Sequence, residues 1–206
     1  MNNHIIEESL AKGISYTAYR NLVEKLVEEK STTGNSITEA LIEFTKLNDK
    51  RMKRWDKTLK IPIDLEEKIK SIDTKVTWLV ITESWCGDAA HLLPVMSKVA
   101  KMNENISFKV VLRDENDELM TQFLTNGSKS IPKLIMLDGV TNDVVSTYGP
   151  RPSEATKLVN DFKNQHGSLT PEFKQDLQVW YNQDKGQGTF EDLTEMLCEL
   201  QPNFCL

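Results

Sequence analysis

Residues 76–94 read VTWLVITESWCGDAAHLLP, from Val76 to Pro94, and this stretch decides the fold. Its first seven residues form a short apolar, β-branched run of the kind found in a buried strand. Ala89 to Asn103 carries a helical pattern, so the strand feeds a helix through a short turn. Cys86 stands in that turn, just ahead of the helix. A cysteine there faces the positive end of the helix macrodipole and unpaired backbone N–H groups, which favour thiolate over thiol. Such a setting takes a thiol pKa from about 8.5 to between roughly 3.5 and 7.5. The placement by itself predicts a nucleophile.

Downstream, Ile106 to Leu112 alternates as a second strand, and Glu115 to Thr125 reads as a helix ending near Asn126-Gly127. Strands follow at Lys133–Leu137 and Val144–Tyr148, joined by a turn around Asp138-Gly139. Ser153 caps a helix running to Gln165. The order βαβαββα predicts an α/β fold, a mixed sheet flanked by helices. Upstream, Tyr16, Tyr19, Leu22, Val23, Leu26 and Val27 share one helical arc of about 140°. Ser36 with Glu39 forms a capping box that opens a second helix from Ile37. Its apolar face holds Ile37, Leu41, Phe44, Leu47, Met52 and Trp55, and a short helix spans Asp64 to Ile72 after Pro62. Beyond the α/β region, helices run from Pro171 to Asn182 and from Thr189 to Leu200. Phe190, Leu193, Met196, Leu197 and Leu200 make one face of the last. The reading is an N-terminal helical extension at 1–73, an α/β domain at 74–166 and a C-terminal helical cap at 167–206.

Composition narrows the function classes. Among 206 residues, 25 Lys and Arg stand against 31 Asp and Glu, a net charge of −6. Residues 169–206 alone hold 2 basic and 7 acidic residues. Lys46 to Lys60 is the reverse, with seven basic and two acidic residues, most of its lysines opposite the apolar face. That pattern is a solvated face, with the acidic C-terminal region as its internal partner, and one basic patch on an acidic chain argues against nucleic acid. Asn48 and Arg51 fall inside the apolar stripe; buried polar groups need partners, so both are expected to hydrogen-bond into the α/β domain. No run approaches the roughly 20 apolar residues of a membrane helix, and the N-terminus lacks a signal-peptide pattern. The cytoplasm is the expected location. His4, His91 and His166 show no metal-ligand spacing, so neither metal nor cofactor is expected. Three cysteines are too few for a disulfide scaffold, and their odd number leaves at least one thiol free unless it pairs between molecules.

From residue 74 to 165 the sequence resembles the thioredoxin family. Trp85-Cys86-Gly87 matches the start of the family's Trp-Cys-Gly-Pro-Cys motif, and Pro94 falls where the family kinks its first active-site helix. Ile131-Pro132 matches the cis-proline dipeptide, and Tyr148-Gly149 falls on the glycine loop beside the active site. The whole chain is also similar to bacterial thioredoxin-like proteins with an N-terminal helical extension and the variant motif Trp-Cys-Gly-Asp-Ala. The resemblance implies a catalytic Cys86 surrounded by Trp85, Gly87, Asp88, Ile131, Pro132, Gly149 and Arg151 as a partner-binding surface. It implies a thiol or disulfide, of a small molecule or a protein, as partner.

The departures limit the chemistry. Ala89 stands at the resolving-cysteine position, Asp88 replaces the motif proline, and Val80 stands where the family carries a buried aspartate. A dithiol cycle through the motif is therefore closed, and the charge of Asp88 opposes a low thiol pKa. Two readings remain open. In one, Cys86 is a monothiol redox centre forming mixed disulfides, a thiol–disulfide oxidoreductase without a resolving cysteine. In the other, the fold is a binding module without chemistry. A peroxidase needs a resolving thiol and an acid or hydroxyl arrangement that the sequence does not present.

The remaining candidates are read in the same way. His91 lies five residues after Cys86, about 140° around the helix, and reads as a flank or surface histidine rather than a base. Arg151 either approaches Cys86 from the glycine loop or stays a solvated loop arginine. Glu83 is a possible proton carrier but reads first as a strand-end surface residue. Cys198 or Cys205 replaces the resolving thiol only if the C-terminal region folds back toward Cys86.

Overall fold

A computed structural model of the chain describes residues 3–201. Four helices come first: α1 (Asn3–Lys12), α2 (Tyr16–Glu28), α3 (Glu39–Thr58) and α4 (Ile63–Ser71). The α/β region follows as β1 (Val76–Thr82), α5 (Ala89–Ala100), β2 (Ile106–Leu112), α6 (Asp117–Gln122), β3 (Lys133–Asp138), β4 (Val144–Tyr148) and α7 (Ser153–His166). Helices α8 (Pro171–Asp184) and α9 (Gln187–Cys198) complete the described chain.

The four strands form one mixed sheet in the order β2-β1-β3-β4. β1 runs parallel to β2 with Val80 opposite Val110, and antiparallel to β3 with Val80 opposite Leu134. This central position explains the apolar run. A strand with neighbours on both edges and helices over both faces has no side open to water, and Trp78 to Thr82 are all buried. The outer edge of β2 is partly covered as well, because Ile14 and Val110 exchange both backbone hydrogen bonds at 2.9 and 2.8 Å. The linker between α1 and α2 thereby blunts an exposed sheet edge.

Helix α3 differs from its sequence reading. Thr38, not Ser36, caps it, its hydroxyl accepting from the Leu41 N–H. The predicted apolar face is largely outside: Ile37 is 65% exposed, Phe44 50% and Leu47 42%. The helix instead buries Thr45, Asn48, Asp49, Met52 and Trp55. Polar partners supplied by other elements cause this rotation. Thr45 Oγ1 meets Ser84 Oγ at 2.9 Å, and Asp49 pairs with the buried Arg20 of α2 at 2.9 Å. Arg20 also bonds Asp56, which accepts from the Tyr16 hydroxyl. Two of the basic residues of α3 likewise form ion pairs outside the acidic C-terminal region, Lys46 with Glu43 and Lys53 with Glu24 and Asp49, while Arg54 bonds Asn182 of α8.

Ser153 begins α7 but does not cap it; Pro152 holds that position. The Ser153 N–H and hydroxyl both donate to Asp192 of α9, at 2.8 and 2.6 Å, so this serine ties two helices together. Phe190, Leu193, Met196 and Leu197 bury the predicted face of α9.

Candidate functional site

The β1–α5 turn places Cys86 at the mouth of α5. Its N–H donates to the Glu83 carbonyl, and its own carbonyl accepts from the Ala90 N–H. The side chain is only 7% exposed. Its thiol donates to the Ile131 carbonyl at 3.3 Å and accepts from the Ala89 N–H at 3.5 Å. The helix-end contact is thus present, and Arg151 adds a favourable charge. Burial, followed by the negative charge of Asp88, outweighs both and pushes the thiol up to about 12. The favourable helix end that the sequence predicts is present, but burial and the Asp88 charge work against it and are the larger effects at this sulfur.

Asp88 is gripped from two sides. One carboxylate oxygen lies 2.8 Å from Arg151 Nη2, and the other accepts from the Tyr181 hydroxyl at 2.9 Å. Burial still holds this carboxyl above its usual range, against the pull of both partners. Arg151 is therefore neither a solvated loop residue nor a direct partner of the sulfur. Its Nε is buried without a hydrogen-bond partner among the described residues.

The loops that complete the site pack tightly. The Ile131-Pro132 peptide is cis. Gly149 has a φ of +102°, and a Cβ there lies 2.4 Å from the Pro132 carbonyl oxygen, so only glycine lets the two loops approach. Trp85 is half-buried under the Arg113 guanidinium, 4.9 Å from the ring centroid. Asn48 reaches the site from α3, its side-chain amide donating to the Ser84 carbonyl at 3.0 Å. Arg51 donates to Asn48 Oδ1 at 3.1 Å and approaches Gly87. The expected hydrogen bond into the α/β domain is made by Asn48 but not by Arg51, which is half-buried and bonds Asn48 of its own helix instead.

His91 is buried, contrary to its sequence reading, and lies away from Cys86. The Trp55 indole can only donate, so His91 Nδ1 accepts from it at 3.0 Å and Nε2 carries the proton to Gln178 Oε1 at 3.0 Å. The ring stacks on Tyr181 with centroids 4.3 Å apart. Burial lowers its pKa to about 4, so it is neutral at physiological pH. Trp55, His91, Tyr181 and Asp88 thus form a continuous chain from α3 to the motif. Tyr181 and Gln178 were not predicted, since nothing local in α8 distinguishes a side chain that meets a residue 93 positions earlier.

Glu83 is also buried rather than on the surface. Its Oε1 accepts from the Asp114 N–H at 2.9 Å, while Oε2 has no partner among the described residues. Burial raises its pKa. No described hydrogen bond links its carboxylate to Cys86. Cys86 is a free cysteine, Cys198 stands in a disulfide, and Cys205 lies outside the described residues. Among the described residues no cluster of His, Cys, Asp or Glu is suited to a metal ion. No described helix is long and apolar enough to cross a membrane.

A family model described as thioredoxin matches residues 34–163, more than half of the chain. No curated protein matches. Two solved structures share the fold. One is a protein of unknown function from Pseudomonas aeruginosa, 17% identical with a TM-score of 0.58, the match covering 75% of this chain and 89% of that one. The other is an HIV epitope-scaffold, 18% identical with a TM-score of 0.56 and the same coverage. With the mixed sheet, the turn bearing Trp85-Cys86-Gly87 and the Pro132–Gly149 contact in place, the conclusion is that this chain belongs to the thioredoxin family.

Proposed function

We propose that this protein is a thioredoxin-fold binding module in which Cys86 does not turn over disulfides. The observation that carries the reading is the state of the Cys86 thiol: buried, donating to the Ile131 carbonyl, and bordered by the clamped carboxylate of Asp88. Exchange needs a thiolate in line with an incoming disulfide. A thiol pushed up to about 12 leaves very little thiolate at pH 7. The greater nucleophilicity of a more basic thiolate recovers only part of that loss. Burial slows it further.

The hydrogen bond also turns the sulfur toward the Ile131 carbonyl, on the loop that the family resemblance makes part of the partner-binding surface. What remains open for a partner is the half-buried rim of Trp85, Gly87 and Arg151 around the closed thiol. Monothiol exchange with a small thiol or a protein is the competing reading, and reactivity separates the two. Iodoacetamide labelling at neutral pH, located on the Cys86 peptide by mass spectrometry, is expected to run far slower in the native protein than in denaturant. Wild type and Cys86→Ser are expected to behave alike in insulin reduction and in mixed-disulfide formation with oxidised glutathione. Labelling as fast as free cysteine, or a glutathione adduct on native Cys86, overturns the proposal in favour of monothiol exchange.

A further inference from the structure

Away from the Cys86 turn, the C-terminal end of α3 and the α8–α9 connection enclose a hollow of about 430 Å³, within the range of small-ligand sites. Its walls include Arg54, Trp55, Lys60, Asn182 and Lys185. Three cations line it and no carboxylate does, in a chain where acidic residues outnumber basic ones 31 to 25. None of the three forms an ion pair among the described residues, whereas Lys46 and Lys53 earlier on α3 both do.

Arg54 is held in place rather than free in solvent. Its guanidinium lies 4.3 Å over the Trp55 ring, and Nη2 donates to Asn182 Oδ1 at 2.5 Å. A guanidinium fixed on one side by an aromatic face and an amide presents its remaining donors as a preset fork. Gln187 at the start of α9 also lines the hollow, its side-chain amide donating to the Lys60 carbonyl at 3.3 Å. The neighbouring Asp184 turns to the Gly186 and Gly188 N–H groups, at 3.0 and 2.9 Å. With three cations and no carboxylate in its lining, the hollow lets an entering anion gain charge-assisted hydrogen bonds without displacing an internal ion-pair partner.

We propose that this hollow binds a small, multiply charged anion bearing phosphoryl groups, with Arg54 as the directional fork and Lys60 and Lys185 as point charges. A hollow this size exceeds one phosphate, and three cations match two linked phosphoryl groups better than a single carboxylate. The site is separate from the Cys86 turn and holds whether or not that thiol reacts.

The test is a titration of the full chain with inorganic pyrophosphate, followed by calorimetry and by the indole N–H resonance of Trp55. Saturable binding is expected, at least roughly tenfold tighter than inorganic phosphate, with the Trp55 resonance moving along the same isotherm. Arg54→Gln and Lys185→Asn are each expected to weaken it by roughly tenfold, asparagine being chosen because Lys185 has a left-handed φ of 56°. Lys157→Gln on the exposed side of α7 is expected to leave it unchanged. No saturable binding at millimolar pyrophosphate, phosphate binding as tightly, or equal losses in the Lys157 variant each overturn the proposal.

Discussion

The guanidinium of Arg151 and the carboxylate of Asp88 meet at 2.8 Å within electrostatic reach of the buried Cys86 thiol. Asp88 puts a charged side chain where the family has its motif proline, and Arg151 from the glycine loop closes a polar joint on it. Through Tyr181 the same carboxylate fastens α8 over the motif. Asp88, which stands where the family has its motif proline, thus anchors the C-terminal helices, while its neighbour Ala89 removes the resolving thiol.

Breaking that joint from the arginine side leaves a buried carboxylate without its main counter-charge. Arg151→Ala is expected to destabilise the fold by about 2 kcal/mol, less than a fully buried pair because the arginine is partly exposed. In the Arg151→Ala/Asp88→Asn double variant the loss is expected to be smaller than the sum of the single losses. Urea denaturation of the four proteins measures the coupling, and strict additivity contradicts the pair's role.

Asp88 also governs the thiol. Asp88→Asn removes the second-largest cause of the raised Cys86 pKa and leaves burial in place. The pH profile of alkylation is expected to shift toward lower pH while staying above the range of a free cysteine. An unmoved profile shows that the carboxylate charge does not reach the sulfur.

His91 supplies a pH signature. Its folded pKa of about 4 lies below the ordinary 6.5, so it stabilises the fold above pH 6.5 and that contribution is lost as pH falls toward 4. The loss is expected to be on the order of 3 kcal/mol. Asp88 and Glu83, whose carboxyls are held up by burial, run the opposite way and lose stability as pH rises. Comparing wild type with His91→Gln between pH 7 and 4 isolates the histidine, and parallel curves contradict its buried neutral state.

Two glycines make a paired test of backbone geometry. Gly149→Ala places a methyl 2.4 Å from the Pro132 carbonyl at a φ of +102°, and is expected to cost about 3 kcal/mol or more. Gly167→Ala meets nothing within 4 Å and carries only the strain of its φ of +79°, about 1 kcal/mol. Thermal melts rank the two, and equal losses place the effect in φ alone.

At Asn48 the sequence signal was a polar residue inside an apolar stripe. Asn48→Ala leaves the Ser84 carbonyl and Arg51 without that partner and is expected to cost about 2 kcal/mol by denaturant titration. A change near zero shows that water replaces both bonds.

The sequence by itself determined the sheet and the position of the motif. Val76–Thr82, Ile106–Leu112 and Val144–Tyr148 lie where period and composition put them, because side-chain alternation and β-branching act over a few residues. The turn carrying Cys86 followed from the same local rules. Tertiary structure alone decided which polar groups go inside. Phe44 is exposed while Thr45 and Asp49 are buried, since Ser84 and Arg20 supply partners that no helical wheel contains. It decided His91, which is buried because Trp55, Gln178 and Tyr181 converge on its ring from two other helices. It decided the character of Cys86 as well. The helix dipole is written in the sequence, but desolvation is the sum of everything packed around the sulfur, and here it is the larger effect.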